Sequence, residues 1–423
     1  MTPIDVLVCG GGIAGTMAAV AAARAGAHTA ILERSACLGG SATVAAVGQF
    51  VGWETASGRR VVQGLAEEIV ERLTAIGGAR GHGRFIMSTG HSMDRVEYDP
   101  ELLKLVLDTL VGEAGVEVLF HATLAGVGRQ GRVLTQVEAA TKAGPLILDP
   151  KLVIDASGDL DLSARAGTRF LPLDPAERLQ PATLMFRMGP IDFGRFDTLP
   201  VDEIAALAER GVASGALARA ALHVSRIPGT ADGWFNVTRV AVDATDPFAL
   251  SQAEMEGRRQ AVTAAAYITQ VVPGCEQARL VALAPQIGIR ETRRIAGAYV
   301  LTEDDLRLGT RFPDAIACGA YPIDLHPPQG AGLHIEAFAA DHCYWVPYRA
   351  LIPEGLDNVL VAGRGLSATH AAHAATRVMP LAMAIGQAAG TAAALLAAGN
   401  LATVELPGER LRAQLVADGA FLG

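Results

Sequence analysis

Three glycines near the N-terminus have the spacing of a phosphate-binding turn. They occur as Gly10-x-Gly12-x-x-Gly15, after the apolar run 4–9 and at the start of the Ala-rich segment 14–25. In a strand–turn–helix unit the first glycine permits the tight turn, the second lets the backbone approach a pyrophosphate, and the third lets helix and strand pack closely. We therefore predict a dinucleotide-binding turn that uses Gly10, Gly12, Ile13, Ala14 and Gly15.

A carboxylate follows this turn at the distance expected of a ribose ligand. Glu33 ends the second predicted strand, 28–32, and lies 33 − 12 = 21 residues after Gly12. A carboxylate at this place accepts hydrogen bonds from ribose hydroxyls and repels a 2′-phosphate. Glu33 thus extends the predicted site, although the unit by itself does not distinguish NAD from FAD.

Further segments of the chain resemble FAD-binding flavoproteins. The loop 33–43 is similar to the loop that runs under the dinucleotide in those proteins, and Ala156-Ser157-Gly158-Asp159 is similar to their second nucleotide-contact motif. The resemblance is to the FAD-dependent oxidoreductase family, in the fumarate-reductase-like branch of the flavoproteins with two dinucleotide-binding domains. It covers nearly the whole chain and implies FAD and redox chemistry without naming a substrate. The other segments that carry it are 180–187, 290–295, 360–364, 367–370, 377–380 and 386–391.

The resemblance also implies which residues contact FAD outside the glycine turn and Glu33. A helix that begins near Pro380 would direct free N–H groups and a partial positive charge at the flavin, where they would stabilise the anion formed on reduction. The alternative is a helix that is simply buried against the sheet. The residues expected to contact FAD are Arg34, Gly40, Ser41, Thr43, Leu124, Ser157, Gly158, Asp159, Gly363, Arg364, Met379 and Gly386.

Candidates for catalysis lie where the chain is expected to return to its first domain and just ahead of the last long helix. Two roles are needed, proton transfer and the binding of a substrate carboxylate by a forked guanidinium. For proton transfer the candidates are His334, His342 and Tyr344, with His373 as an alternative. For the carboxylate they are Arg290 and Arg349, with Arg377 as an alternative. A structural hydrogen bond for each histidine and a salt bridge for each arginine remain the other interpretations.

The pattern of apolar segments predicts an α/β fold, with a Rossmann-like FAD-binding domain that carries a β-meander and an inserted α+β substrate domain. Buried strands are expected at 152–156 and 359–362, and a meander near 122–128, 132–139 and 145–149. Asp99 and Pro100 predict a helix start. Other helices are expected at 61–76, 202–216, 251–270 and 379–398. Near residue 170 the pattern changes to strand-like and helix-like segments with frequent proline, and the N-terminal pattern returns near 358. We therefore assign residues 1–168 and 346–423 to the FAD-binding domain and 169–345 to the insertion.

Composition excludes several classes of protein. The 423 residues carry a net charge of −9, which offers nothing to nucleic acid or to an anionic membrane. The ten histidines show no metal spacing, and the five cysteines contain no C-x-x-C pair, which argues against a disulfide framework, a zinc site or an iron–sulfur cluster. We expect a cytoplasmic protein with a small-molecule substrate and no metal. The electron donor or acceptor and assembly into a homo-oligomer stay open.

The function predicted from the sequence is that of an FAD-dependent dehydrogenase or reductase. It would transfer a hydride between a small polar organic substrate and flavin N5. No strand followed by G-x-G-x-x-G occurs after residue 160, which argues against a separate NADPH domain. A flavin monooxygenase or halogenase stays open, although the tryptophans at 53, 234 and 345 form no Trp-x-Trp motif. A non-catalytic flavin-carrying subunit of a complex also stays open.

Overall fold

The computed structural model describes residues 3–86, 92–173, 179–327 and 334–423. The strands of these residues are β1 (Val6–Cys9), β2 (Thr29–Leu32), β3 (Gln49–Val51), β4 (Gly83–Ile86), β5 (Ser92–Glu97), β6 (Glu117–Leu119), β7 (Thr123–Gln130), β8 (Val133–Thr141), β9 (Gly144–Leu148), β10 (Leu152–Asp155), β11 (Phe186–Gly189), β12 (Val224–Arg226), β13 (Gly233–Phe235), β14 (Arg279–Leu283), β15 (Ala315–Gly319), β16 (Ile323–Leu325), β17 (His334–Glu336), β18 (Tyr344–Pro347) and β19 (Val359–Val361). The helices are α1 (Ile13–Arg24), α2 (Leu65–Ala75), α3 (Pro100–Ala114), α4 (Asp161–Arg165), α5 (Phe193–Phe196), α6 (Val201–Ala213), α7 (Pro247–Val271), α8 (Glu303–Leu308), α9 (His370–Thr376), α10 (Met379–Gly399) and α11 (Gly408–Ala417).

A five-stranded parallel sheet of order β19-β10-β1-β2-β6 forms the centre of the molecule. The apolar strands β1 and β10 are buried along their whole length, as expected of strands covered on both faces. Val8 of β1 pairs with Ile154 on one side and with Ile31 on the other. Because parallel strands end at the same edge, the segments that follow β1, β2, β10 and β19 all begin at the carboxyl edge of the sheet, where open α/β sheets bind ligands.

Helices α1 and α10 approach each other very closely over this sheet. A Cβ atom at Gly386 would lie 2.1 Å from Ala14 O, and one at Gly390 would lie 1.9 Å from Ala18 O. These two glycines therefore serve the packing of the helices, and contact of Gly386 with the flavin stays a prediction. Although α10 is long and apolar enough to cross a membrane, 78% of its most apolar stretch is buried, as in a core helix.

The predicted β-meander is present as the antiparallel sheet β7-β8-β9. Its apolar residues Leu134, Val137 and Ala139 are fully buried in a cluster that also contains Leu7 of the parallel sheet. The meander therefore belongs to the FAD-binding part of the fold, and its residue Leu124 packs against the same cluster.

The inserted region is built on the antiparallel sheet β12-β13-β11-β14, with the long helix α7 beside it. Asp246 caps α7 by accepting hydrogen bonds from the N–H groups of Phe248 and Ala249, with Pro247 at the first helical position. The hydrophobic cluster of this region spans residues 182–289, apart from Ala46. Within the predicted insertion 169–345, the buried apolar residues of 301–323 and 343–345 belong instead to the cluster that contains α1 and α10.

Candidate functional site

A single cavity of about 450 Å³ joins the carboxyl edge of the parallel sheet to the inserted region. We call its two parts the nucleotide end and the substrate end. The nucleotide end is lined by Gly10, Gly12, Ile13, Ala14, Glu33, Arg34, Gly40, Ser41, Ser157, Gly158, Gly363 and Arg364. The substrate end is lined by Gln49, Arg219, His223, Asn236, Arg290, Tyr321, Asp324, His326 and Arg377. Met379, at the start of α10, also lines the cavity.

The glycine turn has the geometry of a pyrophosphate cradle. Gly10 has φ +103°, and a Cβ atom there would lie 2.5 Å from Ala156 O. A Cβ atom at Gly15 would lie 2.0 Å from Gly10 O, so this glycine permits helix and turn to pack. Gly12 differs, because it lines the cavity and a Cβ atom there would find no atom within 4 Å. The open space at Gly12 is where a phosphate group can approach the backbone.

The start of α1 supplies hydrogen-bond donors to the same space. Gly12 is the N-cap of α1 and no side chain caps the helix. The first N–H group that forms a hydrogen bond of the helix is that of Thr16, which donates to Gly12 O at 2.8 Å. The N–H groups of the preceding turn therefore have no partner within the helix, and the helix dipole favours an anion beside them. The residues present thus fit the diphosphate of FAD.

Glu33 is buried and its carboxylate borders the cavity. Its Oε2 accepts a hydrogen bond of 2.7 Å from Gly11 N, and its Oε1 accepts one of 2.7 Å from Ser35 N. These bonds hold the carboxylate at the end of β2, where remaining lone pairs can accept ribose hydroxyls. Glu33 therefore stabilises the turn and offers a ribose ligand.

Replacing Glu33 with alanine is expected to weaken FAD binding, because charge-assisted hydrogen bonds to the ribose are lost. Each such bond contributes about 1.5–3 kcal/mol, so the dissociation constant of FAD should rise roughly 10- to 100-fold. Titration of the apoprotein with FAD, followed by quenching of flavin fluorescence, measures the change. Urea unfolding of the apoprotein is the control, and unchanged FAD affinity would contradict the ribose role.

Asp159 acts behind the lining of the cavity. Its Oδ1 lies 2.7 Å from Arg364 Nη2 and accepts a hydrogen bond of 2.9 Å from Thr292 Oγ1. Burial would raise the pKa of Asp159, but the charge and hydrogen bond of Arg364 outweigh burial and lower that pKa. Asp159 therefore positions Arg364, which lines the nucleotide end.

Three other residues expected to contact FAD do not line the cavity. Gly15 packs against Gly10, as described above. Thr43 is buried and its hydroxyl donates to Leu38 O at 2.5 Å, which fixes the loop that carries Gly40 and Ser41. Leu124 lies on the meander. These residues shape the fold around the site, and direct contact with FAD is not what their placement favours.

Arg290 and Arg377 bring two guanidinium groups to the substrate end. Arg290 Nη1 donates to Pro181 O at 2.5 Å and to Thr183 Oγ1 at 2.9 Å. Arg377 Nη2 donates to Gln180 Oε1 at 3.1 Å. Burial, with repulsion from the neighbouring arginines, lowers the pKa of Arg290 to about 9. Arg290 therefore stays cationic at neutral pH but would gain from an anionic partner.

Asp324 and His326 form a hydrogen-bonded pair on the wall of the substrate end. Asp324 Oδ2 accepts a hydrogen bond of 3.0 Å from the Tyr321 hydroxyl and lies 3.2 Å from His326 Nε2. Burial would raise the pKa of Asp324, but His326, Arg377 and Tyr321 together hold it well below its usual value. Burial and the charge of Arg290 lower the pKa of His326 to about 3. At neutral pH the pair is a carboxylate beside a neutral imidazole.

The remaining catalytic candidates lie away from the cavity. His334 is exposed on β17. His342 places Nε2 2.6 Å from Leu306 O, and the Tyr344 hydroxyl donates to Ala375 O at 3.1 Å and Tyr321 O at 3.2 Å. Arg349 is exposed and ion-paired, with Nε 2.9 Å from Asp314 Oδ2. None of these four residues lines the cavity, and the side chains of His342, Tyr344 and Arg349 make structural contacts.

His373 lies just behind the substrate end and is completely buried. Its Nδ1 is 3.9 Å from Glu291 Oε1, and neither ring nitrogen has a hydrogen-bond partner in the part of the chain that the structure describes. Burial lowers the pKa of His373 to about 3. Glu291 instead accepts a hydrogen bond of 2.8 Å from His370 Nδ1. His373 is therefore a buried, neutral imidazole and, unlike His326, does not line the cavity.

Three histidines with lowered pKa values make the stability of the fold sensitive to mild acid. Burial is the first cause that lowers the pKa of His223, His326 and His373 to about 3, whereas an unfolded histidine titrates near 6.5. Between these values the unfolded chain binds the proton and the folded chain does not. The free energy of unfolding should therefore fall as pH drops below 6.5, by about 1.4 kcal/mol per pH unit for each histidine.

Urea unfolding at several pH values between about 7.5 and 5 measures this slope, above the range in which the carboxylates titrate. His373→Gln should reduce the slope, whereas His334→Gln, at an exposed position, should leave it unchanged. A stability that is constant or rises over this range would contradict the burial of neutral histidines.

The fold and the nucleotide end define a dinucleotide-binding flavoprotein. The model of the FAD dependent oxidoreductase family matches residues 5–415. The chain therefore belongs to this family and is an FAD-dependent oxidoreductase. No curated protein shows significant similarity to it.

Solved structures with a similar fold are flavoenzymes of low sequence identity. The p-nitrophenol 4-monooxygenase of Pseudomonas putida has a TM-score of 0.52 at 13% identity, covering 99% of this chain and 85% of that one. A geranylgeranyl bacteriochlorophyll reductase-like protein of Thermoplasma acidophilum has a TM-score of 0.50 at 14% identity, covering 99% and 84%. A triple mutant of a flavin-dependent brominase has a TM-score of 0.51 at 13% identity, covering 97% and 84%. These similarities show the fold.

Proposed function

We propose that this protein is an FAD-dependent dehydrogenase or reductase that transfers a hydride between flavin N5 and a small polar organic substrate. The observation that carries the proposal is the substrate end of the cavity. The guanidiniums of Arg290 and Arg377 and the Asp324–His326 pair lie there, in the same cavity as the dinucleotide cradle. When bound, FAD supplies the acceptor or donor of the hydride.

Arg290 and Arg377 supply the binding of the substrate. Each keeps a planar fork of donors, of which only some are used by the protein. A forked guanidinium suits a carboxylate, because two parallel hydrogen bonds fix its orientation as well as its charge. Gln180 steadies Arg377, since Gln180 Oε1 accepts its hydrogen bond while Gln180 Nε2 lies 3.4 Å from Glu291 Oε2.

The Asp324–His326 pair supplies a proton acceptor. Because Asp324 is a carboxylate, His326 directs its Nε2 proton towards it, and Nδ1 keeps a lone pair. When a substrate C–H bond breaks as a hydride, the O–H or N–H proton of the same substrate moves to Nδ1 of His326. In the reverse direction His326 returns that proton. Asp324 orients the imidazole and stabilises the charge that it gains.

The test is anaerobic mixing of the FAD-loaded protein with a panel of 2-hydroxy and 2-amino carboxylic acids. We expect one class to bleach the visible absorbance of the oxidised flavin without oxygen. His326→Gln and Asp324→Asn should keep the bound FAD and lower the rate of bleaching by about 100-fold or more. Normal rates in both variants would remove the pair from the mechanism.

Oxygen insertion is the second candidate function. It is favoured by the apolar residues Phe85 and Met93, which line the cavity with a surface that suits an aromatic substrate. The same assay distinguishes it. A monooxygenase needs a reductant and oxygen for product formation, and its product contains an atom of labelled O₂. A dehydrogenase reduces its flavin with the substrate alone.

The fumarate-reductase-like branch also stays a proposal. It is supported by the motifs 180–187 and 290–295, which contact each other through Gln180 Nε2 and Glu291 Oε2 and through Arg290 Nη1 and Pro181 O, and Arg290 lines the substrate end. A different branch with the same fold would use the same cradle, so the branch is decided by the reaction found in the assay above.

A further inference from the structure

The inserted region contributes an apolar wall to the substrate end. Along α6, residues Val201, Ile204, Ala205 and Ala208 line the cavity, and their i, i+3, i+4, i+7 spacing places them on one face of the helix. Leu222, in the segment after α6, also lines it. A ligand that reaches this wall loses contact with water along its apolar part, which favours binding.

Arg219 stands in the segment between α6 and β12 and also lines the cavity. Its Nη1 donates to Asn236 Oδ1 at 3.3 Å, and no carboxylate pairs with it among the residues that the structure describes. Burial lowers the pKa of Arg219, while Asp324 and Tyr321 act in the opposite direction. Arg219 is thus a desolvated cation whose remaining donors have no acidic partner.

The charges of the substrate end do not balance. Arg219, Arg290 and Arg377 bring three guanidiniums, and Asp324 is the one carboxylate among the described residues that line this end. The histidines do not change this count, because the pKa values of His223 and His326 are lowered to about 3 by burial. Desolvated like charges repel each other strongly, and a bound anion would relieve that repulsion.

We propose that the substrate is a 2-hydroxy or 2-amino monocarboxylic acid with an extended apolar side chain, of which the plain alkanoic acids are unreactive analogues. Its carboxylate is bound by Arg219 together with Arg290 and Arg377, and its apolar side chain lies against the α6 face formed by Val201, Ile204, Ala205 and Ala208. This inference rests on the proposed function and specifies its substrate class. Arg219 is then a specificity-determining residue that the inserted region adds to the site.

The α6 face and the three arginines Arg219, Arg290 and Arg377 select different features of a ligand. The guanidiniums require a negative charge, so a neutral amide of the same shape should bind poorly. The apolar face requires length, so affinity should increase with each methylene group until the face is covered. A dicarboxylate, with a second charge against the apolar face, should bind less well than a monocarboxylate of the same length.

The test measures binding of unreactive probes to the oxidised, FAD-loaded protein by perturbation of the flavin spectrum and by calorimetry. The probes are acetate, butanoate, hexanoate and octanoate, with octanamide and suberate as the neutral and doubly charged counterparts of octanoate. We expect the dissociation constant to fall about fourfold per methylene group. Octanamide should bind about 10- to 100-fold more weakly than octanoate.

Two variants test the requirement for charge and the requirement for apolar length separately. Arg219→Gln should weaken octanoate about 10-fold or more while leaving the affinity for FAD unchanged. Ile204→Ser should flatten the dependence on chain length while keeping the preference for octanoate over octanamide. The matched control is Arg210→Gln, which removes an exposed arginine of α6 that does not line the cavity.

Equal binding of octanamide and octanoate would overturn the anionic anchor, as would an Arg219→Gln variant with unchanged affinity. Failure of all the probes to bind, or affinity independent of length, would overturn the substrate class. These outcomes concern binding alone. A protein that binds octanoate as expected but shows no flavin reduction by any carboxylic acid would instead contradict the proposed hydride transfer.

Discussion

Replacing Gly12 with valine is expected to abolish FAD binding while leaving the protein folded. Gly12 has φ −60° and ψ 172°, a conformation that valine adopts readily, and a Cβ atom there meets no atom within 4 Å. The apoprotein therefore has room for the side chain. The pyrophosphate does not, because the valine methyl groups occupy the space beside the first N–H groups of α1. Gly12→Ala should show the same effect in weaker form.

Gly15 in the same turn provides the comparison for this prediction. A Cβ atom at Gly15 would lie 2.0 Å from Gly10 O, so Gly15→Ala should damage the fold itself. We expect Gly12→Val to have the urea midpoint of wild-type apoprotein and no bound flavin, and Gly15→Ala to have a lowered midpoint. Wild-type flavin content in Gly12→Val would show that the diphosphate lies elsewhere.

The second large effect is expected at Gly386. A Cβ atom at this position would lie 2.1 Å from Ala14 O, a backbone atom that cannot move without shifting α1. Overpacking of this kind typically costs about 1–3 kcal/mol and occasionally more. Because Ala14 lines the nucleotide end, Gly386→Ala should lower both the free energy of unfolding and the affinity for FAD.

A helical glycine without neighbours is the control for this substitution. Gly112 in α3 is exposed, and a Cβ atom there would find no atom within 4 Å. Gly112→Ala should stabilise the protein by about 0.5–1 kcal/mol, since alanine is the better helix former. Urea unfolding of both variants gives the comparison. If Gly386→Ala is as stable as Gly112→Ala, the close packing of α1 and α10 is wrong.

The nucleotide end could be predicted from the sequence because its signals are local. Gly10, Gly12 and Gly15 lie within six residues, and Glu33 follows at the distance that one strand–helix–strand unit spans. The same locality explains the meander, whose strands are neighbours in sequence. The spacing of residues therefore carried most of the information about where FAD binds.

The substrate end could not be predicted in the same way, because it is assembled from distant segments. Asp324 lies on the short strand β16 and His326 follows directly after it, and nothing in that local pattern marks a site. Arg219 follows α6 in the inserted region and reaches the cavity only through the packing of that region. A D-x-H pattern close to a strand, with both residues on one face, is the signal that could have suggested the pair.

The prediction that His334, His342 and Tyr344 lie at the flavin rests on proximity in sequence, because the chain is expected to return to its first domain there. In the structure β18 pairs with β15 and its side chains enter the large core, so that Tyr344 is fully buried. The segment in which the chain returns thus packs into the core, whereas Arg377, just before α10, lines the cavity.

A crystal structure of the FAD-loaded protein with octanoate bound would test the proposed site directly. We expect the diphosphate beside Gly12, the ribose at Glu33, and the flavin N5 facing the substrate end, with the carboxylate of octanoate on Arg219, Arg290 and Arg377. An isoalloxazine that fills the arginine-lined end and leaves no space beside Asp324 and His326 would contradict this expectation.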